Sequence, residues 1–247
     1  MRTNSLQTIA AIIALSATTI AKTQKNNKQQ TIQFAANIHH HGRLNLEVKQ
    51  IVQTYNKLKS SPQNKILQSK YIAIFPKRYY DYIHIFGWYG PGHQNIPGPL
   101  SGAITVAPVE GITQYAIRGT GDYDYIKALY DTTKSNNNDN VERVGSILIN
   151  LSSNADDPLL MGAINLLQTY TINIITAHPN RAALIMHKMS HKKLLNMIEF
   201  LTEEGTNRGF GGPSDYEKMV WSLENNKHYN LAELFRKAVG DKLNVWK

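Results

Sequence analysis

The sequence predicts a mainly α protein, an antiparallel helical bundle or a short helical array. Three observations carry that expectation. Apolar residues recur at steps of three and four, as in Leu44, Val48, Ile51, Tyr55 and Leu58, and again in Val141, Val144, Leu148 and Leu151. Helix-starting pairs, Asp157-Pro158 and His178-Pro179, introduce later segments of the same pattern. β-prone stretches are confined to one Gly/Pro-rich interval, residues 87–121, which reads as an irregular segment with room for one small β-hairpin.

Size and composition bound the rest. The chain has 247 residues, 42% of them hydrophobic and 18% charged, which is globular composition and excludes a disordered chain. It has no cysteine, so disulfides, thiolate metal sites and a thiol nucleophile are excluded. No apolar run reaches the ~18 residues that a membrane span requires. The formal charge is +9. Its cations form only short clusters, such as Lys57/Lys59 and Lys192/Lys193, and give no specific nucleic-acid signature.

The chain opens as an export signal. Arg2 supplies the positive start, Ile9–Leu15 the apolar run, Ser16–Thr19 the small and hydroxylated residues, and Ala21, with Thr19 two before it, the cleavage site. Residues 1–21 are therefore read as a signal peptide and 22–36 as a flexible linker. Residues 37–247 are read as one mainly helical domain, with a subdomain boundary near 135–140. The expected location is periplasmic or extracellular.

Along the body, Ser60-Ser61-Pro62 ends the first helix. Tyr71–Phe75 is a short apolar run, strand or helix by periodicity alone. Pro76 suits the first position of the next helix, on which Phe75, Tyr79, Tyr82, Ile83 and Phe86 are spaced and which Gly87 can close. Twelve glycines and prolines from Gly87 to Gly121 then interrupt all periodicity, and Ala103–Val109 and Ile112–Ile117 are the β-prone stretches. A short helix is expected over 123–133 and a polar loop over Ser135–Asn140. The stripe from Val141, the Asp157-Pro158 start and the His178-Pro179 start follow. Next comes a segment through Leu194, Ile198 and Leu201, opened by Ser190 or continuous with the helix before it. Ser214-x-x-Glu217 and Asn230-x-x-Glu233 resemble capping boxes, and Gly240 closes the last helix.

The densest chemical feature is aromatic. Tyr71, Phe75, Tyr79, Tyr80, Tyr82, Phe86, Trp88 and Tyr89 lie close together. Phe75, Tyr79, Tyr82 and Phe86 share one helical face and are read as core. Tyr80, Trp88 and Tyr89 do not fit that face, and Trp88-Tyr89-Gly90-Pro91-Gly92-His93 sets two large rings and an imidazole on a Gly/Pro turn. Trp and Tyr give large, partly polar contact area, which suits a sugar ring or a partner's hot spot. The candidate binding residues are therefore Tyr80, Trp88, Tyr89 and His93.

The block Phe75-Pro76-x-x-Tyr79-x-x-Tyr82-x-x-x-Phe86-Gly87-Trp88 resembles an FP-aromatic-FG pattern of uncharacterised exported bacterial proteins. Met161–Gln168 resembles a later block of the same group. The resemblance covers these two short blocks, implies export and attaches no activity.

Other features read as structural. His39-His40-His41 is a solvated tract with no carboxylate before Glu47. His187 and His191 are four apart on an apolar stripe with Leu184 and Leu194. They lack the glutamate that a zincin places after its first histidine, so a half-buried structural pair is expected. The Gly-rich stretches Arg118–Asp124 and Arg208–Asp215 match no phosphate-binding fingerprint, and no Gly-x-Ser-x-Gly elbow occurs. No catalytic residue, metal or cofactor is assigned. The expected role is non-catalytic binding of a protein or an envelope polymer through the aromatic loop. The alternative is a cell-envelope hydrolase with a histidine or carboxylate base near residues 88–124, drawing on Asp122 or Asp124. A third reading, binding of an anionic polymer, requires the lysines to gather on one face.

Overall fold

A computed structural model describes residues 46–87, 100, 103–105, 115–117, 121–135, 137–155, 163–202 and 213–240. The chain divides into two units, Met1–Leu46 and Glu47–Lys247, and apart from Leu46 the described residues belong to the second. The expected signal peptide, linker and His39–His41 tract lie outside the described residues.

The described chain is mainly helical. The helices are α1 (46–60), α2 (Lys65–Ile74), α3 (Tyr79–Phe86), α4 (Gly121–Asp131) with a 3-10 turn at Thr132–Lys134, and α5 (Asn138–Ser152). They continue with α6 (Ala163–Ala177), α7 (Pro179–His187), α8 (His191–Thr202), α9 (Pro213–Asn225) and α10 (Tyr229–Val239). Two three-residue strands, β1 (Ala103–Thr105) and β2 (Tyr115–Ile117), pair antiparallel with Ile104 opposite Ala116. The residues joining them lie outside the description.

α6 sits at the centre. It carries no charged residue, and Ile164, Leu167, Ile172, Ile174 and Ile175 are all buried, as expected of a helix apolar around its girth. α4, α5, α7, α8 and α9 all pack against it. Two of its polar side chains bond neighbouring helices: Gln168 Nε2 donates to the Phe200 carbonyl at 2.7 Å, and Thr171 Oγ1 pairs with Ser152 Oγ at 2.9 Å. α5 packs against α2, α3, α6, α7 and α8. Its stripe Val141, Val144, Leu148 and Leu151 is buried as the spacing predicts. Gly145 lets α5 approach its neighbours, since an added Cβ would lie 3.0 Å from Ile185 Cδ1 and 3.3 Å from Ile174 Cγ2.

Several boundaries differ from the sequence reading. The Tyr71–Phe75 run belongs to a helix, and that helix stops before Pro76. Phe75 is extended (φ −66°, ψ 140°), as the ring of a following proline demands. The next helix begins at Tyr79 rather than Pro76. Arg78 forms its N-cap and closes a two-pronged ion pair on buried Asp81, at 2.7 and 2.8 Å. The polar run 135–140 is only partly loop, because Asn137 caps α5 through its side chain and the helix starts at Asn138. Ser214 lies inside α9, which starts at Pro213. Asn230 lies inside α10, whose N-cap is His228. The Asp157-Pro158 start lies outside the described residues, whereas the His178-Pro179 start is as expected.

Candidate functional site

The aromatic segment separates into core and surface. Tyr71, Phe75, Tyr82 and Phe86 are fully buried. Phe75 stacks on Phe86 with centroids 5.3 Å apart, and Tyr82 meets Phe86 at 5.4 Å. The Tyr71 hydroxyl donates to the Tyr125 carbonyl at 2.9 Å, joining this cluster to α4. Burial pushes the Tyr71 phenol well above its ordinary range, so it stays a neutral donor. Of the expected face, Phe75, Tyr82 and Phe86 are core, with Phe75 at the end of α2 rather than on α3, whereas Tyr79 is only half-buried.

Tyr80 is different. It is 54% exposed and lies over His84, with ring centroids 3.7 Å apart. The pair follows from i, i+4 spacing on α3, and His84 Nδ1 lies 2.8 Å from the Tyr80 carbonyl oxygen. The same helix anchors both ends of the segment carrying the other candidates. Gly87 N donates to the Ile83 carbonyl at 2.7 Å, and Leu100 N donates to the Ile85 carbonyl at 2.9 Å. A Cβ on Gly87 would lie 2.6 Å from that Ile83 oxygen, so the sharp exit from α3 requires glycine although its φ is an ordinary −81°. Trp88, Tyr89 and His93 themselves lie outside the described residues.

A cleft of about 580 Å³ opens between α1, α2 and α4, lined by Tyr55, Lys59, Gln68, Asp124, Lys127 and Asp131 among others. Asp124 accepts a hydrogen bond from the Tyr55 hydroxyl. Burial and this carboxylate both raise the Tyr55 phenol, so it remains the donor. Asp131, two turns along α4, is held by Lys127 and Lys134, the latter at 2.7 Å. Burial works to raise the Asp131 carboxyl, but hydrogen bonds and charge from the two lysines carry it below its ordinary value. A carboxylate fixed in that way is a structural anion, not a free base. Asp122 is described only in its backbone.

No family model matches the chain, and no curated protein or solved structure matches it.

The histidine pair is corrected. His187 ends α7 and His191 begins α8, with the turn 188–190 between them, so they share no helix face. Both are exposed, and so is Leu184, which the expected stripe included. The ring that His187 does meet is His228, at 6.5 Å between centroids. His228 Nε2 lies 2.8 Å from Asn180 Oδ1. No group of three or more metal-ligating side chains occurs among the described residues, and no helix among them is long and apolar enough to cross a membrane.

Two surface features escaped the sequence reading. Trp221 on α9 is 68% exposed, more than any other aromatic among the described residues. The polar stripe Glu142, Arg143, Ser146 and Asn150 lines an open groove on α5. Its spacing of one, three and four was legible, but only its apolar complement drew notice.

Proposed function

We propose that the chain is an exported, non-catalytic binding protein that holds another protein or an envelope polymer through its aromatic Gly/Pro segment. In this reading residues 1–21 are removed on export, 22–36 form a linker, and 37–247 form a helical bundle or short array that presents the segment. Trp88, Tyr89 and His93 make the contact, with Tyr80 beside them. The supporting observation is the Tyr80–His84 pair, exposed on the helix to which Gly87 and Leu100 are both hydrogen-bonded. An exposed tyrosine packed against an imidazole is already ordered, so little side-chain freedom is lost when a ligand covers it.

The test is a pull-down from envelope extract with the mature chain, followed by binding and melting measurements on Trp88→Ala and Tyr80→Ala. Loss of about 2 kcal/mol of binding with an unchanged melt is expected for a contact residue. A stability loss of about 3–5 kcal/mol in Trp88→Ala would make that residue core and remove the reading. N-terminal sequencing of the native protein tests the export signal, and a chain that retains Met1–Ala21 overturns it.

A hydrolase remains the second reading, favoured by Asp124 in the α4 cleft. Its support is thinner, because the other carboxylate in that cleft, Asp131, is held by two lysines. Hydrolysis of envelope material that is abolished by Asp124→Asn with an unchanged melt would establish it over the binding reading.

A further inference from the structure

The outward stripe of α5 lies along a groove. One cavity of about 510 Å³ runs from Ile72 and Lys77 past Arg143 to Ser146 and Asn150. A second, of about 440 Å³, shares Ser146 and Asn150 and continues to Ile185, Lys188, Met189 and Lys193. The two cavities adjoin at Ser146 and Asn150 on the outer face of the helix. From Asp139 to Asn150 the helix rises about 16 Å at ~1.5 Å per residue, the length of about five residues of extended chain.

The charges of the groove are unbalanced. Lys77, Arg143, Lys188 and Lys193 line it, against Asp139 and Glu142. Glu142 is already engaged, by Arg181 at 3.7 Å and Lys188 at 4.0 Å. Arg143 is oriented without being neutralised: its guanidinium donates to Ser69 Oγ at 2.7 Å and to the Ser69 carbonyl at 3.2 Å, both uncharged acceptors. Neither Arg143 nor Lys193 enters an ion pair among the described residues, and the one carboxylate that reaches the Lys188–Lys193 end, Glu142, is shared between Arg181 and Lys188. Between the cations the walls are apolar, with Ile147, Ile185 and Met189. Ser146 and Asn150 supply neutral hydrogen-bonding groups on the floor.

We infer that this groove docks an extended acidic peptide segment of a partner protein. Carboxylates of the segment meet Arg143 and Lys193, its backbone meets Ser146 and Asn150, and its apolar side chains lie on Ile147, Ile185 and Met189. Charge complementarity selects an anion, and the apolar walls select a peptide over a phosphate polymer, which has nothing to place there. Tyr80, the one candidate contact residue among the described residues, does not line the groove, and the docking does not rest on the aromatic loop.

The experiment selects a displayed random dodecapeptide library on the full chain. Enriched peptides are expected to combine Asp or Glu with Leu, Ile or Met. Fluorescence anisotropy with one enriched peptide should show binding weakened at least tenfold by Lys193→Glu and by Ser146→Trp. Lys237→Glu on α10 should leave it unchanged, and melting curves confirm that each variant is folded. Since Lys193 is exposed, its substitution keeps the test open even if Ser146→Trp fails to fold. The inference is overturned if no peptide is enriched, if enriched peptides lack acidic residues, or if binding ignores Lys193→Glu. Binding of inorganic polyphosphate that falls with Lys193→Glu while peptide binding does not would assign the groove to a phosphate polymer instead.

Discussion

The Tyr82 hydroxyl donates to the carbonyl oxygen of Ala163 at 2.6 Å, across 81 residues of chain and within the buried core. Ala163 is the first residue of α6, so this bond ties the candidate-bearing helix α3 to the central helix. Tyr82→Phe keeps the ring and strands the carbonyl, and should cost about 1–3 kcal/mol, the range for a buried acceptor left without its partner. Tyr82→Ala removes the ring as well and should cost about 3–5 kcal/mol. Urea titrations check both, and a Phe variant as stable as the parent would show the bond to be dispensable.

Asn140 joins three elements. Its Nδ2 donates to Gln68 Oε1 at 3.0 Å and to the Thr132 carbonyl at 3.2 Å, while Gln68 Nε2 donates to the Pro62 carbonyl at 2.7 Å. Asn140→Asp replaces the donor by a carboxylate facing two acceptors, and should destabilise more than Asn140→Ala. The Asn140→Ala and Gln68→Ala changes share one network, so the double variant should lose less than the two single losses combined. Strict additivity in a double-mutant cycle would contradict the network.

Gly87→Ala should destabilise the protein by about 1–3 kcal/mol, the usual cost of overpacking. The new methyl would stand 2.6 Å from the Ile83 backbone oxygen, which cannot move without unwinding the end of α3. Thermal melts test this, and a neutral result would mean that the exit from α3 has another geometry.

Stability should fall as pH drops below the ordinary histidine range. Burial lowers the His228 imidazole from 6.5, and nearby His187 lowers it further; burial alone lowers His178. A group whose folded pKa is depressed leaves the unfolded chain holding more protons in that window, so stability rises with pH there. The contribution is complete above about 6.5 and is lost as pH falls through the folded values. Denaturant midpoints from pH 8 to 5 should drop, and His228→Gln should flatten the curve. A rise in midpoint toward pH 5 would reverse the assignment.

The helices were legible wherever one apolar stripe met a core. α5 is the clearest case, because Val141, Val144, Leu148 and Leu151 follow helical spacing without interruption. The aromatic core was legible by composition but not by connectivity. Phe75 fits the spacing of α3, yet the proline after it forces an extended backbone and places it at the end of α2. His187 and His191 failed for a related reason: i, i+4 spacing says nothing about a turn that falls between the two positions. Asn140 was hidden because a polar residue in a polar run reads as solvent-facing, and its partners lie in elements that local pattern does not connect. Of the candidate site, only Tyr80 falls within the described residues, where it is exposed on α3.

The exposure of Trp221 has an optical consequence. An indole already in water emits near the red limit in the folded protein, so unfolding alters its fluorescence little. The chain has three tryptophans, at 88, 221 and 246. In a Trp221→Phe background the constant signal disappears and the remaining emission comes from Trp88 and Trp246. Adding Trp246→Phe then leaves Trp88 as the sole indole, an intrinsic reporter at the centre of the proposed contact that needs no attached dye.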